Sequence, residues 1–148
     1  MSEAWYKAIL RRVTGRKKEE PAHLAAGRWG EEIAGEMLCK KGYKIVERRL
    51  KILRDEIDLI VRRKNILVFV EVKTRRSVDF GRPVEAVKRS KQKNLCRAAV
   101  RYLKTVRVKP EYIRFDVVEV IGQPEVGEPK VNHIENAFPL GFGYRLPW

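Results

Sequence analysis

The feature that most constrains this chain is a pair of apolar runs separated by a short polar turn. The first is Asp55-Glu56-Ile57-Asp58-Leu59-Ile60-Val61 and the second is Ile66-Leu67-Val68-Phe69-Val70-Glu71-Val72-Lys73, with Arg62-Arg63-Lys64-Asn65 between them. Runs this rich in Val, Ile, Leu and Phe suit a buried pleated surface, so they read as two strands of a hairpin. Asp58, Glu71 and Lys73 interrupt them. A charge within a buried strand is costly unless it is paired or bound to metal. Such a conflict between local rule and local residue marks a functional position.

Alternation along a strand places Glu56, Asp58 and Ile60 on one face, and Phe69, Glu71 and Lys73 on one face. If Lys64-Asn65 is a two-residue turn, Arg63 faces Ile66 and Asp58 faces Glu71. Directly opposed residues have Cβ atoms about 4.5–5.5 Å apart. Two carboxylates at that distance repel unless a cation lies between them. Mg²⁺, or Mn²⁺ in its place, suits an oxygen pair, because Mg²⁺ uses one or two carboxylates and keeps several waters. Lys73 points the same way, which gives the pattern D-x12-E-x-K. The competing reading of the same spacing is a salt-bridge cluster in which Lys73 neutralises the two acids.

At 148 residues and 44% hydrophobic content, one globular domain with a real core is expected. The balance of 33 Lys+Arg against 19 Asp+Glu gives a net charge of +14 and points to a polyanionic partner. DNA is the expected partner, with RNA and an anionic membrane surface as alternatives. No apolar run approaches 18 residues, which argues against a transmembrane segment. The absence of an apolar leader and the presence of only Cys39 and Cys96 lead to the expectation of a reduced, cytoplasmic protein.

Residues 1–20 form a basic arm whose apolar positions Trp5, Tyr6, Ile9, Leu10 and Val13 fit a helical stripe. Packing of that stripe on the domain is preferred over a role on nucleic acid or membrane. Residues 21–148 form the main domain. Its first helix spans 22–41, with Leu24, Gly27, Glu31, Ala34 and Leu38 on one face. Glu31 is thus an acid on a packing face, and Gly27 and Gly30 would let another backbone come close. A strand over 43–50 precedes the hairpin. A long connection over 74–87, broken by Gly81 and Pro83, borders the proposed site. A second helix over 88–106 buries Leu95, Ala98, Ala99, Tyr102, Leu103 and Val106. Another of its faces carries Lys93, Arg97, Arg101 and Lys104. Its near-uniform sign favours phosphate contact, with Arg75, Arg76, Arg82, Lys88, Lys91, Lys93, Arg97 and Arg101 as the candidate set. A strand over 111–120 follows, and 131–138 adds a short strand or turn. His23 and His133 have no partner in sequence and read as structural or exposed.

The order helix, three strands, helix, strand, together with Asp58, Glu71 and Lys73, resembles the restriction-endonuclease-like fold and its PD-(D/E)xK signature. This is an α/β fold with a central mixed sheet flanked by helices. Gly27-x-x-Gly30-Glu31, Gly42-Tyr43, Glu56-Ile-Asp58-Leu-Ile60, Val68-Phe-Val-Glu71-Val-Lys73, Phe80-Gly-x-Pro83-x-Glu85-Ala-Val87 and Ile134-Glu-Asn-Ala-Phe138 look like the YraN-like family, which is similar to archaeal Holliday-junction resolvases. The resemblance implies a metal-dependent endonuclease acting on branched or repair intermediates. In it Asp58 and Glu71 are metal ligands, Lys73 assists the attacking water, and Glu31 and Gln92 are supporting catalytic positions. A non-catalytic nucleic-acid-binding module in DNA repair or uptake is the alternative. Junction resolvases act as dimers, so a homodimer is among the implied partners, although no dimer surface is legible. Two positions depart from the pattern. Ile57 stands where the broad signature has Pro, and Asp55 stands where the family usually has Gly, so an extra acid near the site is expected to affect metal number.

Overall fold

A computed structural model describes residues 5, 6, 9, 21–77 and 87–148. Helix α1 spans Ala22–Lys40, followed by strands β1 (Lys44–Ile52), β2 (Asp55–Arg63) and β3 (Ile66–Arg75). Helix α2 (Arg89–Leu103) then leads to β4 (Tyr112–Ile121) and β5 (Lys130–Phe138). The five strands form one sheet in the order β1-β2-β3-β4-β5. Neighbours run antiparallel except β3 and β4, which are parallel and joined through α2. This is the restriction-endonuclease-like α-β-β-β-α-β arrangement, extended by β5. Residues 131–138 are therefore part of a full strand rather than a short turn. Among the described residues, no helix is long and apolar enough to cross a membrane.

The sheet buries both faces, which explains why its central strands carry near-continuous apolar runs. On one side α1 contributes Trp29, Ile33, Ala34 and Leu38 against Leu59, Val61, Val68, Val70, Val118 and Val120. On the other α2 contributes Leu95, Ala98, Ala99 and Leu103 against Leu67, Phe69, Phe115 and Val117. The predicted α2 stripe is the one observed, apart from Val106, which lies beyond the helix end. The α1 stripe is shifted. Leu24 is half exposed, and Gly27 and Glu31 look into a cleft, because only the second half of α1 lies flat on the sheet. Tyr6 and Ile9 are buried in the α1-side core, and the Tyr6 hydroxyl donates to the Pro124 carbonyl at 2.7 Å. The preferred reading of these N-terminal positions, packing on the domain, holds for them.

Of the two α1 glycines, Gly30 serves close approach. A Cβ there would collide with Thr74 Oγ1 of β3. Gly30→Ala is therefore expected to cost about 1–3 kcal/mol, the usual penalty for overpacking. Thermal melts check this, and an unchanged Tm would contradict the close approach.

Candidate functional site

The Lys64-Asn65 turn sets the predicted register, with Arg63 paired to Ile66 and the ladder running to Leu59–Val70. One step further, at Asp58 and Glu71, backbone pairing stops. The Val72 N–H donates instead to Asp58 Oδ2 at 2.8 Å. Strict alternation fails at the same place. Ile57 and Ile60 both join the α2-side core, whereas Leu59 and Val61 join the α1-side core. Asp58 and Ile60 therefore do not simply share a face as expected. Across β1 the irregularity has a counterpart at Arg49, which has φ +47, a conformation uncommon for any residue but glycine. Its neighbours Arg48 and Leu50 pair with Leu59 and Ile57, so Arg49 flanks Asp58. Distortions of this kind gather beside functional sites, where they re-aim side chains.

The fork opens into a cleft of about 900 Å³. Glu31, Asp58 and Glu71 all line it, so helix α1 and two strands bring the three predicted acids to one place. Asp58 is half-buried. Burial, followed by the nearby charge of Glu71, pushes its pKa up to about 7. Glu71 is only 4% exposed, and among the described residues its Oε2 has no hydrogen-bond partner. Lys73 Nζ lies 3.5 Å from Glu71 Oε1, and Lys91 Nζ reaches Oε2 at a longer 3.9 Å. Glu31 accepts from Arg49 Nε at 2.5 Å, and burial raises its pKa, with the charge of Asp58 adding to the effect.

The donor set suits a hard divalent cation. It is all oxygen, it comes from two strands, and it includes a buried carboxylate oxygen that no donor among the described residues satisfies. Among the described residues no three His, Cys, Asp or Glu side chains are grouped closely enough to hold a metal ion. Asp58 and Glu71 are the two carboxylates that the fork brings together, and an ion held by them would fill its remaining positions with water, as Mg²⁺ allows. Glu31 reaches the cleft but is committed to Arg49.

The remaining candidates divide. Lys91, placed among phosphate contacts by its sequence, is instead drawn to Glu71 beside Lys73. Arg75 and Arg76 line the cleft, and Arg75 also faces Glu119 at 3.3 Å. Lys88, at the N-cap of α2, and Lys93, within it, are exposed. Gln92 is not brought to the acids, since its side-chain amide donates to the Val87 carbonyl at 3.0 Å and braces the start of α2. Arg97 points inward. Its guanidinium grips both oxygens of Asp55 at 2.7 Å, and Arg101 adds a contact at 3.4 Å. Asp55 is correspondingly buried and held below its ordinary pKa, first by the Arg97 hydrogen bond. The extra acid is therefore a structural tie between β2 and α2 rather than a further metal ligand. Arg82 and the 80–86 part of the Phe80–Val87 motif lie outside the described residues.

Sequence reasoning missed two elements of the site. The first is the segment 122–126 after β4, which also lines the cleft. The second is His23 in the first turn of α1, which also lines it. Neither position carries a motif, so only the fold reveals it. His133 proves structural, with Nε2 2.7 Å from the buried Asp116, which also binds Arg114.

These features define an α/β protein of restriction-endonuclease-like architecture with a paired-carboxylate cleft. Comparison with known sequences adds the family. The profile described as "Uncharacterised protein family UPF0102" matches residues 30–120, and the chain belongs to that family. A UPF0102 protein of Syntrophomonas wolfei subsp. wolfei is 53% identical over 113 residues, covering 76% of this chain and 96% of that one. Another, from Caldanaerobacter subterraneus subsp. tengcongensis, is 50% identical, covering 76% and 93%. A third, from Syntrophotalea carbinolica, is 43% identical over 117 residues, covering 79% and 94%.

Proposed function

We propose that this protein is a divalent-metal-dependent endonuclease that hydrolyses phosphodiester bonds in DNA. The observation that carries the reading is the buried Glu71 oxygen, without a hydrogen bond among the described residues, beside Asp58 where β2 and β3 part, in a chain of net charge +14. When bound, a Mg²⁺ or Mn²⁺ ion polarises the scissile phosphate and lowers the pKa of a coordinated water. Asp58 and Glu71 would hold that ion from neighbouring strands, and the Val72 N–H fixes the orientation of the Asp58 carboxylate. Lys73 neutralises Glu71 in the metal-free state. Its side chain is 32% exposed, enough freedom to turn its ammonium to the attacking water or to the charge that develops on the phosphate. Lys91 occupies a matching position from α2. Glu31 shapes the acid cluster through Arg49, and Arg75, Arg76, Lys88 and Lys93 offer charge to the strand backbone.

The test is cleavage of branched, flapped and single-stranded DNA in Mn²⁺, with EDTA and Lys73→Ala as controls. Cleavage is expected in Mn²⁺ and not in EDTA. Lys73→Ala is expected to lower the rate by about 100-fold, the scale of one lost charge-stabilising group. Equal rates in wild type and Lys73→Ala would overturn the assignment. Salt-dependent DNA binding with no cleavage under any metal would instead favour the non-catalytic binding module.

A further inference from the structure

We infer that the part of the cleft beyond the carboxylate pair is a pocket for a single unpaired nucleotide, presented by a DNA strand whose base has left the stack. The inference rests on the endonuclease reading above and goes further by naming the form of substrate.

The first observation is Gly27. It lies inside α1, where glycine is destabilising relative to alanine, so its presence needs a reason. Close packing supplies that reason at Gly30 but not here. Among the described residues, a Cβ built on Gly27 meets nothing within 4 Å, and Gly27 lines the cleft. The side chain it lacks is therefore open cleft volume. Ala22, Ala25 and Ala26 continue this low wall toward the start of the helix. Segment 122–126 faces it, with Val126 69% exposed.

The second observation is depth. Glu71 lines the same cleft, is 4% exposed and carries Oε2, which has no hydrogen bond among the described residues. The chemistry is thus at the bottom of a recess between a helix and a loop. The phosphates of a continuous duplex run along the outside of a rod and meet such a floor poorly. A nucleotide turned out of the stack carries its phosphate down to it, at least cost when the base is already unpaired. A volume of about 900 Å³ falls within the roughly 300–1,000 Å³ of pockets that enclose ligands of nucleotide size. Arg76 supplies positive charge on this wall, and Gln123 and His23 offer hydrogen bonds to a base edge.

Three measurements test the pocket: hydrolysis of bis(p-nitrophenyl) phosphate, cleavage of flapped against blunt duplex DNA of one sequence, and binding of a five-nucleotide single strand in Ca²⁺ by anisotropy. Wild type is expected to prefer the flap and the short strand over blunt duplex by about tenfold or more, the scale of one seated base. Gly27→Phe fills the open volume without touching the packed face. It is expected to weaken short-strand binding and flap cleavage by about tenfold while small-diester hydrolysis stays within about twofold. Its Tm is expected to be unchanged or higher, because a helical glycine is removed. Gly27→Ala, which fills that volume by a single methyl group, is expected to show the same loss in smaller measure. Equal handling of flap and duplex by the wild type, or full short-strand binding by Gly27→Phe, would overturn the pocket. Absence of small-diester hydrolysis in wild type would instead count against the endonuclease reading, and the binding arm would still decide the pocket.

Discussion

Asp58→Asn is expected to abolish metal-dependent DNA cleavage while making the metal-free protein more stable. Removing one of the two proposed ligand carboxylates would forfeit several kcal/mol of cation-assisted stabilisation, a loss of about 100- to 1,000-fold in rate. In the absence of metal the same carboxylate is a liability, because burial and Glu71 both oppose its charge and push its pKa up to about 7. Asparagine keeps an oxygen for the Val72 N–H and removes the repulsion. A gain of about 1–2 kcal/mol is expected, well below what the full shift implies because the site still meets solvent. That corresponds to about 2–4 °C in Tm for each kcal/mol in a chain of this size. The pH dependence has a matching sign. An unfolded aspartate titrates near about 3.9, so the folded protein binds a proton at Asp58 that the unfolded chain does not. In EDTA, wild-type stability should therefore rise as pH falls through 7, and Asp58→Asn should lose that rise. Asp55 acts oppositely, since its pKa is lowered on folding. Its contribution is present above its unfolded pKa and disappears as pH falls through its folded one. Calorimetry from pH 8 to 3 separates the two, and a mutant less stable than wild type in EDTA would contradict the repulsion.

The second large effect falls on stability without touching chemistry. Arg97→Ala removes the bidentate partner of Asp55, whose side chain is 2% exposed, and leaves only the longer Arg101 contact. Breaking a buried pair strands the remaining charge and costs about 3 kcal/mol or more. Replacing both partners, as in Asp55→Leu with Arg97→Met, should recover most of the loss. Below its melting point Arg97→Ala should bind DNA as wild type does. Lys93→Ala should keep its Tm and reduce the salt dependence of binding by about one unit of slope. Urea melts and anisotropy titrations check the contrast. An Arg97→Ala protein with normal stability and weak DNA binding would return Arg97 to the phosphate-contacting set.

The contrast between Arg97 and Lys93 also marks where the sequence stops being informative. Both lie on the basic face of one helix, and helical spacing treats them alike. What separates them is Asp55, distant in sequence and brought beneath Arg97 only by tertiary packing. The strands were legible because apolar runs, turn residues and two-residue periodicity agree, and the Lys64-Asn65 turn fixed the register. The acids were legible because they contradict those runs. The fork itself was not, because it requires alternation to fail between Ile57 and Ile60. The α1 face was half legible. Spacing grouped Glu31 with Leu24 and Gly27, but it could not distinguish a face that packs from one that borders open space. The cleft wall at 122–126 carries no periodicity at all.

The hydrogen bond from Tyr6 to the Pro124 carbonyl joins the start of the chain to that wall. A protein lacking its first twenty residues would keep every acid and lysine of the fork, yet the loop opposite Gly27 would lose its anchor. The shape of the cleft proposed to receive the substrate thus depends in part on a segment remote in sequence from the acids at its floor.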